Sequence, residues 1–111
     1  MRIAIVLLLA LTTTAPAARG QSESLRAAAQ LTGLTSGMGA ACRLNTKPLL
    51  HGFRDLMDRR KVQRPERKRL VGLVSDSHDR GFATQHKPGA MSCREVSDQM
   101  RGTIRRLQRA K

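Results

Sequence analysis

Seven basic side chains crowd into eleven positions: Arg59, Arg60, Lys61, Arg64, Arg67, Lys68 and Arg69. A set of that density can hold a polyanion, because Lys and Arg displace the counterions that gather around clustered negative charge. The run Ser75-Asp76-Ser77-His78-Asp79 contains every residue type of a serine triad. Neighbours on a helix point about 100° apart, however, so these side chains cannot converge on one reacting atom. The run reads as a polar helix face. His51 and Asp55 lie four apart and share a face, which would supply two metal ligands with His78 or His86 completing the set. Nothing in the spacing fixes those partners, and a surface hydrogen bond is the commoner use of such a pair. No Gly-rich phosphate loop, metal-hydrolase motif or haem-attachment motif occurs. The expectation is a non-enzyme, with no catalytic residues, no metal and no cofactor.

The two cysteines, Cys42 and Cys93, are 51 positions apart, which does not suit a C-x-x-C redox or metal couple. Their expected role follows from the start of the chain. Met1-Arg2 is a short positive stretch, Ile3 to Leu11 is apolar, and Thr12 to Gly20 is rich in small residues. Nine apolar residues are roughly half of the ~20 that cross a bilayer, so residues 1–20 read as a cleavable signal peptide. Cleavage fits after Ala17 or after Gly20. The expected product, residues 21–111, is a single helical domain that is periplasmic or secreted. Two cysteines in an oxidising compartment have one intramolecular pairing, a structural Cys42–Cys93 disulfide. In the chain-entropy account that loop is worth on the order of 4 kcal/mol.

Such a staple matters because the core is thin. The chain of 111 residues has no Trp, no Tyr and two Phe. With Arg2 and Arg19 gone, 19 basic residues face 8 acidic ones, a net charge of +11. Apolar residues recur at helical spacing in four segments, and strand alternation is nowhere sustained. The first helix is expected over about Ser22–Leu44, with Leu31, Leu34, Met38, Ala41 and Cys42 on its inner face. Gly33, Gly37 and Gly39 weaken it but allow another helix to come close. The second is expected over Pro48–Lys61, with Leu49, Phe53, Leu56 and Met57 facing inward and Asn45 or Thr46 capping. A third starts at Pro65, carries Leu70, Val74, Ser77 and Gly81 on one stripe, and stops at Gly81. A loop over Ala83–Met91 follows. The fourth opens with Ser92-Cys93-Arg94-Glu95, a capping box, and holds Cys93, Val96, Met100, Ile104 and Leu107 on one stripe. Arg105, Arg106, Arg109 and Lys111 complement its negative end. Both cysteines then fall on apolar faces, which places the disulfide inside the core. The fold expected is an all-α, four-helix bundle stapled by one disulfide.

Cys42, Phe53-Arg54-Asp55-Leu56-Met57, Pro65-Glu66-Arg67-Lys68, Arg80-Gly81-Phe82 and Cys93 follow one another in an order that resembles a small exported two-cysteine protein family of alphaproteobacteria. The likeness spans roughly Leu31 to Leu107. This chain differs in about two extra residues before Arg80, in Phe82 where tyrosine is common, and in His78-Asp79 where Phe-Asn is expected. The resemblance implies an exported helical domain with paired cysteines and implies no activity. A fainter likeness, architectural only, is to small periplasmic acid-stress chaperones.

The functional expectation is a non-catalytic periplasmic protein whose cluster at Arg59–Arg69 binds an anionic envelope component, lipid headgroup or polyanionic sugar, or a protein partner. A simple solvated face is the plainer reading of those charges. Nucleic acid is disfavoured by the export signal and by the lack of aromatic platforms for stacked bases. An acid-stress chaperone is the alternative class: protonating 8 carboxylates on a basic chain would increase self-repulsion and loosen the bundle. Export and pairing are testable together by intact mass. The protein from the periplasmic fraction should weigh as a chain cut after Ala17 or Gly20 and take up an alkylating reagent only after reduction; a full-length species with two free thiols would refute both.

Overall fold

A computed structural model describes residues 23–111; the signal segment expected over residues 1–20 lies outside them. Among the described residues four helices make an all-α bundle: α1 over residues 23–41, α2 over Lys47–Arg59, α3 over Arg64–Gln85 and α4 over Cys93–Arg109. The starts of α2, α3 and α4 have local causes. Asn45 Oδ1 accepts from the Lys47 N–H at 3.2 Å ahead of α2, which carries Pro48 in its first turn. Pro65 and Glu66 occupy the first turn of α3. Ser92 Oγ accepts from the Glu95 N–H at 3.2 Å, the forward half of the expected capping box.

α1 and α2 both end on a basic residue in the left-handed region, Arg43 at φ 58° and Lys61 at φ 52°. The hydrogen bonds are those of a Schellman turn. Leu44 N–H reaches Gly39 O at 2.8 Å and Arg43 N–H reaches Ala40 O at 3.0 Å; Val62 N–H reaches Met57 O at 3.0 Å and Lys61 N–H reaches Asp58 O at 3.1 Å.

The helices alternate in direction. Arg26 lines one groove with Glu66, Arg69 and Leu73, Gly33 lies on Val74 and Ser77, and Gln85 Nε2 approaches Cys42 Sγ at 3.7 Å. Positions on α1 and α3 thus rise together, and the two helices are parallel. α2 and α4 are parallel too: Gly52 faces Leu107, Arg59 reaches Leu107 and Ala110, and both helices begin near the Cys42–Cys93 link. One end of the bundle, the disulfide end, therefore holds the starts of α2 and α4. The opposite end holds their C-termini together with the start of α3.

The α1–α3 contact is unusually close. A Cβ added at Gly33 would collide with the Val74 carbonyl oxygen. One at Gly37 would collide with the His78 carbonyl oxygen and lie 2.7 Å from Phe82 N, and one at Gly81 would collide with the Leu34 carbonyl oxygen. Backbone meets backbone here, so no side chain can swing away. Across the same seam, Ser36 Oγ–H donates to the Gly33 carbonyl at 2.9 Å. That uses its one proton, so His78 Nδ1–H donates to Ser36 Oγ at 2.9 Å. Ser36 and Ser77 are buried at this contact.

The structure corrects four sequence expectations. Gly81 does not stop α3, which runs on to Gln85; the glycine is spent on the close approach instead. The inner face of α1 is not built on Leu34, which is exposed; Leu25, Ala29, Thr32, Thr35, Ser36 and Met38 are buried. The Cys42–Cys93 disulfide is formed, with Cα atoms 5.6 Å apart, but it lies at the bundle end with Cys93 exposed and Cys42 half-buried, not in the core. α2 buries Leu49, Phe53, Leu56 and Met57 as its pattern requires. α4 buries Val96, Met100 and Leu107, with Thr103 buried where Ile104 was expected.

These contacts set opposite outcomes for two glycines on the bundle. Gly37→Ala forces α1 and α3 apart and should lower unfolding stability by about 1–3 kcal/mol. Gly72→Ala, on α3 with nothing within 4 Å of the added carbon, should raise it by roughly 0.5–1 kcal/mol. Denaturant midpoints at equal m-values would measure both; a neutral Gly37→Ala would contradict the close contact.

Candidate functional site

Because α2 ends, α3 begins and α4 ends at the same pole, the topology joins two basic stretches that are distant in sequence. Arg59, Arg60, Lys61, Arg64, Arg67, Lys68 and Arg69 come from the α2–α3 junction, and Arg105, Arg106, Arg109 and Lys111 come from α4. Glu66 is the lone carboxylate within those stretches, and Asp58 lies beside them.

These cations divide by what they touch. Arg59 Nη2 donates to the Leu107 carbonyl at 2.7 Å and to the Ala110 carbonyl at 3.0 Å. Arg60 Nε donates to the Lys111 main-chain oxygen at 2.7 Å. Arg59 therefore covers an open carbonyl in the last turn of α4 and the carbonyl of its C-cap, Arg60 holds the residue that follows, and both offset the negative end of the helix dipole. Arg67 pairs with Asp58 at 2.7 Å, and Arg69 stands 3.8 Å from Glu66. Among the described residues, the side chains of Lys61, Arg64 and Lys68 make no ion pair or hydrogen bond, and the same holds for Arg105, Arg106 and Arg109. The outward-facing charge is thus shared between the junction and the last turns of α4. Sequence reasoning placed it at the junction alone and read the α4 arginines only as dipole partners. The clamp from Arg59 to Leu107 spans 48 positions, and no local pattern announces it.

The other candidate groups are not gathered into a site. His51 and Asp55 are both exposed on α2, and among the described residues no three His, Cys, Asp or Glu side chains are grouped to hold a metal ion. In the Ser75–Asp79 run, Ser77 is buried against Gly33, His78 is engaged by Ser36, and Asp76 and Asp79 are exposed. The one Ser–His hydrogen bond in that region belongs to the α1–α3 seam, and the Ser36 hydroxyl is closed to solvent. No protein family, curated protein or solved structure was found to match the chain.

The division between tethered and outward-facing cations is measurable as stability. Arg59→Ala leaves the Leu107 and Ala110 carbonyls without a charged donor and should cost about 1–2 kcal/mol, discounted for its exposure. Arg64→Ala should stay within about 0.5 kcal/mol of the parent. Equal effects of the two substitutions in thermal or urea unfolding would contradict this division.

Proposed function

We propose that the protein is a non-catalytic, exported component of the cell envelope that docks through its basic pole onto an anionic envelope component. The observation that carries this reading is the convergence of α2, α3 and α4 on one end, which concentrates two separate basic stretches into a single field. A cationic surface of this kind attracts anionic headgroups at about 1 kcal/mol per Lys or Arg close to the surface. Among the described residues no helix is long and apolar enough to cross a membrane. The apolar faces of α2 and α4 are packed inward, so docking would be peripheral and electrostatic rather than by insertion.

Lys61 supports the same reading from the backbone. It holds a left-handed conformation at φ 52° that glycine would adopt without the roughly 1–2 kcal/mol that an L side chain pays. A lysine kept there adds charge to the pole at the expense of stability, and strain of this sort tends to collect at functional positions. The exposed disulfide suits an oxidising compartment.

Sedimentation with vesicles tests the proposal. The oxidised protein should bind vesicles containing anionic lipid, release progressively between low and physiological salt, and ignore zwitterionic vesicles. Lys61→Gly should raise stability by about 1 kcal/mol yet weaken vesicle binding. Salt-independent binding, or none at low salt, would refute the reading.

A further inference from the structure

At the basic pole a groove of about 300 Å³ runs between α1, α2 and α4. Leu56 and Leu107, both nearly fully buried, line it together with Ala28 and Leu31 of α1. Arg60 and Arg106 reach it from α2 and α4. The space exists because α1 presents Ser24, Ala27 and Ala28 there, side chains too short to fill the hollow over the parallel α2–α4 pair.

The two arginines are set differently. Arg60 is held by its Nε bond to the Lys111 main-chain oxygen, which leaves its terminal nitrogens for another acceptor. The Arg106 side chain has no partner among the described residues. Two guanidinium groups on an apolar slot are complementary to one kind of molecule: an anion with a hydrocarbon tail. The planar guanidinium fork matches a carboxylate in particular. The volume lies at the lower end of the ~300–1,000 Å³ usual for small-molecule sites, enough for one short chain and too small for a two-chain lipid.

We infer that this groove is a binding site for a medium-chain fatty acid, with its carboxylate on Arg60 and Arg106 and its methylenes against Leu31, Leu56 and Leu107. The inference rests on the reading of the pole as an anion-binding end and names a ligand for it. The vesicle surface and the fatty acid then use overlapping charge but different depth: the first needs only the outward cations, the second needs the slot.

The experiment is a titration of the oxidised, isotopically labelled protein with sodium decanoate below its micelle concentration, followed by amide shifts. Acetate and 1-decanol serve as the headgroup-only and tail-only probes. Saturable shifts at Leu31 and Leu107 are expected for decanoate, with acetate and 1-decanol at least tenfold weaker. Ala27→Leu, which fills the slot from an exposed position, should weaken decanoate at least tenfold and leave vesicle binding unchanged. Arg106→Gln should weaken decanoate about fivefold to tenfold. Non-saturating shifts, equal binding of 1-decanol, or decanoate affinity untouched by Ala27→Leu would overturn the fatty-acid site. If vesicle binding survives those results, the basic-pole reading stands alone; if neither decanoate nor anionic vesicles bind at low salt, both fall.

Discussion

The contact between α1 and α3, made through Gly33, Gly37 and Gly81, is the constraint on which the rest of the structure depends. Removing three side chains allows backbone to meet backbone, and the small hydroxyls of Ser36 and Ser77 fit where larger groups would not. Close packing gains dispersion contacts that a chain with two Phe and no Trp cannot obtain from bulk. It also brings a polar strut inside, in which His78 donates to Ser36 and Ser36 donates to Gly33. A buried hydroxyl is costly unless it is bonded. This one is satisfied on both sides, which fixes the register of the two helices as well as their separation. Thr32 and Thr35, buried on the same helix with no partner for their hydroxyl oxygens among the described residues, are the contrasting case.

From this seam the polarity of the molecule follows. With α1 and α3 parallel, the short α2–α3 junction and the end of α4 must share a pole, and the disulfide must close the opposite one. The basic field is therefore a product of topology, not of the Arg59–Arg69 run by itself. Within it the cations are divided: Arg59 and Arg60 hold main-chain oxygens at and just beyond the end of α4, Arg67 answers Asp58, Arg69 stands near Glu66, and Lys61, Arg64 and Lys68 face outward. Like charges at such density repel, and the covalent link at the far end helps the bundle tolerate that repulsion.

How much of this was legible in the sequence varies by helix, for physical reasons. α2 was legible because its buried face is made of large apolar residues, Leu49, Phe53, Leu56 and Met57, whose spacing is an unambiguous record of burial. α3 was legible in its stripe but not in its length: Gly81 looks like a terminator when read alone and like a packing residue once Leu34 is set against it. α1 is the least legible because its buried positions between Leu25 and Met38 are Thr, Ser, Gly and Ala, which carry little hydropathy signal, while Leu34 points outward. The spacing Gly33–Gly37 on one helix and Ser77–Gly81 on the other was the available clue. The pairing of Cys42 with Cys93 was readable from count and context, but its place was not, since an apolar stripe does not say where it stops being covered. The basic junction was evident as composition; its union with Arg105, Arg106 and Arg109 depends on a contact that only the fold supplies.

The most direct test of the central claim is the set of interhelical nuclear Overhauser contacts from the α protons of Gly33 and Gly37 in the oxidised protein. A parallel, glycine-mediated seam predicts contacts from Gly33 to Ser77 and from Gly37 to the amide of Phe82, rising together along both helices. Contacts in the reverse order, or solvent-exposed glycine α protons without interhelical partners, would contradict the seam and with it the gathering of the basic pole.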